Sequence, residues 1–226
     1  MKVCAVIAAY NESRTVGSVI QGASQYVDKV LVVDDGSTDG TAEIAREFGA
    51  ELVQHATNRG PGAAVQTGYA AAIAAGFDYI VQIDADGQHN PEYIPKLLEV
   101  AVSDECDVVI GSRFLNDSFR EWPFVRRLGI AFFTKLVNLV GSTNVTDVTS
   151  GFKVHRASSL AKLSRSSDRF PAAEQILEYA KKGMKIREVS VEMPVRSAGN
   201  SYLSLKRLML YPFYVTWAIL KVMLFK

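Results

Sequence analysis

The chain offers little sulfur chemistry: two cysteines, Cys4 and Cys106, in 226 residues. Cys4 lies in the first apolar run and Cys106 in a short acidic turn, and neither has a C-x-x-C neighbour. A thiolate zinc site is therefore unsupported, and two unpatterned cysteines fit a reducing compartment better than a disulfide scaffold. Histidine is equally sparse, with three residues far apart in sequence. His89 beside Gln88 is the one plausible ligand among them, and His55 and His155 read as structural. Neither sign of charge is in excess, the formal net charge being +1, which gives no argument for a nucleic acid partner. There is no internal repeat and no low-complexity segment.

Long apolar runs are missing too. Met1-Lys2 leads into Val3–Ala9 and then Tyr-Asn-Glu, which reads as a strand and not as a signal peptide. Residues 208–220 carry no charge, but Pro212 near the start and Lys221 just beyond make a poor spanning helix, which needs about 20 apolar residues. Tyr211, Phe213, Tyr214 and Trp217, ringed by Lys206, Arg207, Lys221 and Lys226, fit an amphipathic helix at a membrane interface. Packing of that helix on the chain's own core fits equally well. A composition 48% apolar and 22% charged then describes one folded unit, expected over 1–203, with the helix at 204–226 as an appendage.

Strand and helix patterns alternate through the first half. Apolar, β-branched runs predict strands at 2–8, 29–33, 51–54, 79–83 and 108–111, with helices at 16–26, 41–48, 61–75 and 91–102 between them. Such alternation predicts an α/β fold, doubly wound around a mostly parallel central sheet with flanking helices. The second half is less regular: an amphipathic helix over 122–140, a polar loop at 141–151, a short strand at 152–155, a helix at 173–182 and a strand at 185–194. A loop over 195–201 precedes the terminal helix. Ligands on such sheets bind outside the carboxyl ends of the strands, and the polar clusters sit there: Tyr10-Asn11-Glu12, Asp34-Asp35-Gly36-Ser37, Asp84–Gln88 and Ser112-Arg113.

Asp84 and Asp86 are the most informative of these. Two carboxylates one residue apart at the end of an apolar strand, with Gln88 near, suit a hard cation such as Mg²⁺ or Mn²⁺. Asp34 and Asp35 can accept bonds from a base or a ribose, whereas Asp39 suits a helix cap. The stretch Asn58–Ala64 is a Gly-rich entry to a small-residue helix, but it lacks both G-x-G-x-x-G and the Walker Gly-Lys-Ser/Thr. Tight helix packing explains it as well as nucleotide approach does. Arg113, Arg126, Arg127, Lys153, Arg156 and Arg196 are candidate phosphate cations. Arg113 stands out because it ends a strand, and Arg196 because it lies in a loop able to close.

Taken together, Ala9-Tyr10-Asn11-Glu12, Asp34-Asp35-Gly36-Ser37, Asp84-Ala-Asp-Gly-Gln-His-Asn-Pro-Glu, Gly111-Ser-Arg-Phe and Thr149-Ser-Gly-Phe-Lys carry a resemblance. The chain resembles the family 2 glycosyltransferases of GT-A fold, and within them the dolichol-phosphate mannose synthase-like group. The resemblance implies that Ala8, Tyr10, Glu12 and Asp34 or Asp35 line a nucleotide. It implies that Asp84 meets the nucleotide-sugar, and that Asp86 and Gln88 hold the cation on its diphosphate. Arg113, Arg196 and Ser201 would engage phosphates, and the 122–140 helix would meet a lipid-phosphate acceptor. Tyr202 departs from the group's Arg-x-x-Gly-x-Ser-Lys loop, standing where that pattern has Lys. The departure tilts the expectation from GDP-mannose toward a UDP-sugar.

The expected reaction is inverting transfer of a sugar from a nucleoside diphosphate to a polyprenyl phosphate, by a peripheral enzyme on the cytoplasmic face of a membrane. A phosphate acceptor is already anionic and needs no strong general base. Asp147 is the one candidate base, and it equally suits the ordering of its own loop. If it is a base, the acceptor is a glycan hydroxyl. A nucleotidyltransferase would want Arg and Lys in a Gly-rich loop near residue 10, where Tyr10-Asn11-Glu12 stands. A non-catalytic nucleotide-sugar binding partner of a membrane protein would have no need of Asp84, Asp86 and Gln88 together.

Overall fold

The computed structural model describes residues 1–115, 124–164, 166–168, 171–193, 216, 217, 220 and 222. Its strands are β1 (Val3–Ala9), β2 (Lys29–Asp34), β3 (Glu51–Gln54), β4 (Tyr79–Asp84), β5 (Val108–Ser112), β6 (Lys153–Arg156) and β7 (Ile186–Ser190). The helices are α1 (Val16–Ala23), α2 (Thr41–Glu47), α3 (Pro61–Ala74), α4 (Ile94–Ser103), α5 (Phe124–Gly141), α6 (Ala157–Leu160) and α7 (Pro171–Lys181), with a 3₁₀ turn at Pro91–Tyr93. All seven strands join one sheet in the order β3-β2-β1-β4-β6-β5-β7.

Alternation of side chains across the strands divides the core in two. Val3, Ala5 and Ile7 of β1, with Tyr79, Val81 and Ile83 of β4, pack against Val16, Val19 and Ile20 of α1 and Ile94, Leu97 and Leu98 of α4. Cys4 and Val6 of β1, Ile80 of β4 and Ile110 of β5 face Val65, Tyr69 and Ala72 of α3, Phe133 and Val137 of α5, and Ile176 and Leu177 of α7. The small residues of α3 let it lie close on the sheet: a Cβ at Gly68 would stand 2.3 Å from Val6 Cγ1. Close packing accounts for the Gly-Ala composition of this helix. Both cysteines are buried and free.

The sheet is mostly parallel, as expected, and β6 is its one reversed strand. β1 pairs in parallel with β2 and β4, and β5 with β7, but β6 runs antiparallel between β4 and β5. Its apolar-polar alternation marks a strand without marking a direction, because both pairings bury the same face. One consequence decides which residues reach the ligand edge. β6 starts at the edge where its neighbours end, so Lys153 lies near that edge and Arg156 at the far one.

Candidate active site

The carboxyl ends of β1, β2, β4 and β5 share one edge, and the expected polar clusters gather there. Loop 10–15 is laced to loop 37–41: Asn11 N–H donates to Ser37 Oγ at 2.9 Å, Thr38 N–H to Asn11 Oδ1 at 2.9 Å, and Glu12 N–H to Thr41 Oγ1 at 2.9 Å. Asn11 adopts a left-handed conformation at φ 55°, one that Asn tolerates better than most residues. The lacing leaves Tyr10 exposed and Ala8 and Glu12 half-buried on the open side. The N-cap of α2 is Gly40 and not Asp39, which stands one residue earlier and accepts from Thr41 N–H at 3.1 Å.

Asp34 and Asp35 are buried and committed. Asp34 accepts from Ser37 N–H at 3.2 Å and from Gln54 Nε2 at 3.3 Å. Asp35 accepts from the backbone N–H of Arg59 at 3.0 Å and of Gly60 at 2.7 Å, and lies 2.6 Å from His55 Nδ1. His55 reaches on to Thr67 Oγ1 at 2.9 Å. The second consecutive Asp thus ties the Gly-rich 58–62 segment to β2, which repetition of Asp in sequence could not reveal.

Asp84, by contrast, ends β4 with its side chain 45% exposed. Opposite it in the β6 direction is Gly151, where a Cβ would stand 2.7 Å from Asp84 Oδ2, so the carboxylate rests against bare backbone. Asp86 and Gln88 are half-buried beyond the turn, where Gln88 N–H donates to Asp86 Oδ1 at 3.0 Å. His89 is buried, stacked on Phe152 at 5.2 Å, and its Nδ1 accepts from Asp84 N–H at 3.0 Å. Burial pulls its pKa down to about 4, so it is neutral at pH 7. His89 therefore shapes the Asp84 turn from inside and has no Nδ1 lone pair left for a metal.

Among the described residues, no group of three or more His, Cys, Asp or Glu is arranged to enclose a cation. Two half-exposed carboxylates and an amide instead fit a hard cation that takes its other oxygens from a bound molecule.

The second cluster lies beside the first and is closed. Arg113 donates from Nε to Asp147 Oδ2 at 2.6 Å and from Nη2 to Asp147 Oδ1 at 2.8 Å, a bidentate fork, with Thr149 Oγ1 at 2.7 Å. Asp147 is fully buried. Burial alone would raise its pKa, but the Arg113 guanidinium outweighs burial and holds the carboxyl below the usual carboxylate range. Asp147 accordingly orders its loop and orients Arg113. Glu188 of β7, unremarked in the sequence, pins that loop: it accepts from Thr146 N–H at 2.8 Å, Thr146 Oγ1 at 3.0 Å and Asp147 N–H at 3.0 Å. The only sequence signal for it was an acid in a strand row that begins with Ile186. Burial raises the Glu188 pKa above its ordinary value.

Two expected phosphate cations do not face the open site. Lys153 lies near the ligand edge but is 1% exposed, and Arg156 donates to Cys106 O at 3.2 Å beside the Tyr79 ring at the opposite edge. Burial explains the first correction and reversal of β6 the second. His155 is structural, as expected, between Tyr69 and Tyr179 hydroxyls at 2.9 Å each. Arg127 is half-buried on α5. Arg196 and Ser201 lie outside the described residues, as does the Arg126 side chain.

Comparison with known proteins identifies the family and the fold. The chain is 31% identical over 209 residues to a UDP-N-acetylglucosamine–dolichyl-phosphate N-acetylglucosaminyltransferase of Methanococcus voltae, covering 83% of each chain. It is 30% identical over 216 residues to an undecaprenyl-phosphate mannosyltransferase of Micrococcus luteus, covering 90% of this chain and 88% of that one. Its fold matches glucosyl-3-phosphoglycerate synthase of Mycobacterium tuberculosis, solved with Mn²⁺, UDP and glucosyl-3-phosphoglycerate. The TM-score is 0.76 at 22% identity, over 98% of this chain and 79% of that one. Residues 4–164, which include both clusters at the ligand edge, match the description of glycosyl transferase family 2. With its α/β sheet of GT-A type, this chain belongs to that family and is a glycosyltransferase.

Proposed function

We propose that the protein transfers a sugar, with inversion, from a nucleoside diphosphate sugar to a polyprenyl phosphate. The observation that carries this reading is the closure of Asp147. A carboxylate wholly buried in a bidentate pair with Arg113, its pKa depressed, has no free oxygen with which to take a proton from an acceptor hydroxyl. A nucleophile already anionic at neutral pH removes the need for one. The relatives from M. voltae and M. luteus are named for transfer to dolichyl and undecaprenyl phosphates, which supports the same acceptor class.

In this reading Ala8, Tyr10 and Glu12 line the nucleotide, on a wall whose shape Asp34 and Asp35 maintain. Asp84 meets the donor. Asp86 and Gln88, with Asp84 near, would hold Mg²⁺ or Mn²⁺, which when bound offsets charge on the departing diphosphate. Arg113, held rigid by Asp147 and Thr149, presents its remaining surface to a phosphate. Arg196 and Ser201 would close over the site, and Tyr202 in that loop favours a UDP-sugar.

No helix among the described residues is long and apolar enough to cross a membrane. Phe132 and Leu139 of α5 are exposed, 61% and 79%, with Lys135 exposed on the same side. An apolar row with a cation fits a membrane surface, as does exposed Trp217 in the C-terminal segment 204–226. The soluble donor puts that surface on the cytoplasmic leaflet.

The test is transfer scored by phase partition, with purified protein, a short polyprenyl phosphate, a panel of UDP- and GDP-sugars, Mn²⁺ or Mg²⁺, and EDTA as control. Metal-dependent appearance of one sugar in the organic phase is expected. Donor consumption only with a soluble glycan would reinstate Asp147 as a base and a hydroxyl as acceptor.

A further inference from the structure

Lys153 has no evident reason to be a lysine. It opens β6, it is 1% exposed, and its Nζ has no hydrogen-bond partner among the described residues. A buried ammonium without hydrogen bonds is among the costliest groups a core can hold, and an apolar side chain of the same length would cost far less. Stability therefore does not explain the residue, and its position suggests another reason.

Gln82 and Lys153 stand opposite each other in the β4–β6 register, so their side chains share a face of the sheet. Gln82 on that face bonds Tyr69 of α3. Asp84, two residues along β4, points to the same side. The residue opposite Asp84 is Gly151, two residues before Lys153, and the Asp84 carboxylate lies against its bare Cα side. No side chain on β6 therefore separates the Lys153 stem from Asp84, and a lysine stem spans the roughly 6–7 Å of two strand residues. The electrostatics agree. Burial draws the Lys153 pKa down to about 8, and the fields of Asp147 and then Asp84 oppose that fall. Asp147 already has its counter-charge in Arg113.

We infer that Lys153 is a positioning residue for the donor end of the site: its buried ammonium balances and aims Asp84 from beneath, across the gap at Gly151. The inference rests on the donor reading of Asp84 given above. It explains why a costly cation persists where it can touch no phosphate. A floor with Asp84 but no cation under it would repel an anionic nucleotide.

Lys153→Met separates this role from a packing role. Calorimetric melting and calorimetric titration with UDP and with GDP, in Mn²⁺, are measured in the wild-type chain and in Asp84→Asn. Met should leave the melting temperature equal or higher, while nucleotide Kd rises about tenfold, the scale of coupling between neighbouring side chains that act as a unit. In Asp84→Asn the same change should shift Kd less than twofold, since the effect passes through Asp84. Lys153→Gln, polar but uncharged, should weaken binding as Met does. Equal loss in both backgrounds, unchanged Kd in Lys153→Met, or restored affinity in Lys153→Gln each overturns the inference. If the wild-type chain binds neither nucleotide, the donor reading falls and takes this one with it. If the wild-type chain binds and the Lys153→Met chain binds equally well, only the role of Lys153 falls.

Discussion

Asp34-Asp35 and Asp84-x-Asp86 both sit where a parallel strand beside β1 ends, yet the fold treats them oppositely. The first pair is buried and spends its oxygens on the N–H groups of Ser37, Arg59 and Gly60. The second is partly exposed, with Asp86 accepting from Gln88 N–H and Asp84 resting against the backbone of Gly151. Backbone N–H groups need partners wherever a loop turns inward, and 58–60 turns inward over β2. At the end of β4 the turn is satisfied from the core side instead, by His89 Nδ1 accepting from Asp84 N–H. Two acidic motifs of similar spelling are therefore placed differently: one ties loops together inside the fold, the other stands partly open at the sheet edge.

Substitutions can break that contrast, and the largest effect is expected at neither pair but at the closed cluster beside them. Asp147→Ala strands the Arg113 guanidinium in the interior and should cost about 3–5 kcal/mol of stability in urea unfolding. Asp86→Ala should do the reverse, lowering transfer about 100-fold or more, or about 2.7 kcal/mol, while unfolding free energy stays within about 0.5 kcal/mol. Loss of stability there would make Asp86 a structural residue like Asp35. Asp35→Asn removes charge-assisted bonds to two N–H groups and should cost about 1.5–3 kcal/mol, with nucleotide affinity falling only as the 58–60 loop loosens. If instead affinity collapses and stability holds, Asp35 itself touches the ligand.

The smallest effect is the pH dependence. Asp147 titrates below its ordinary 3.8 in the folded chain, so its stabilisation is complete above 3.8 and is lost as pH falls through the folded value. Glu188, raised above its ordinary 4.5, acts in the opposite sense: its contribution is full below 4.5 and is lost as pH rises through the raised value. Unfolding free energy measured from pH 2 to 7 should lose its steepest acid limb in Asp147→Asn. In Glu188→Gln it should lose a shallow decline above 4.5.

Strands and helices were legible in the sequence because their periods are local properties. The predicted strands at 29–33 and 79–83 each fall one residue short of the observed elements, which end at the carboxylates Asp34 and Asp84. The sheet edge that gathers Tyr10, Asp84 and Arg113 followed from that alternation. What the sequence withheld is nonlocal. The direction of β6 depends on which neighbours accept its hydrogen bonds, and on that direction turned the fate of Arg156. The exposure of Asp84 against the burial of Asp35 depends on which loop passes overhead. Glu188 binds a loop more than forty residues earlier in the chain, a pairing that no window of sequence contains.

The segment 146–151 is fastened at both ends, by Glu188 at Thr146 and by the seat of Asp84 on Gly151. Chain length there is consequently fixed to the residue: one insertion would detach either the arginine fork or the backbone on which Asp84 rests. The turns at 104–105 and 182–183 lie at the other end of the sheet, away from the ligand edge. Divergence among natural relatives should show insertions in those far turns and almost none between Thr146 and Gly151.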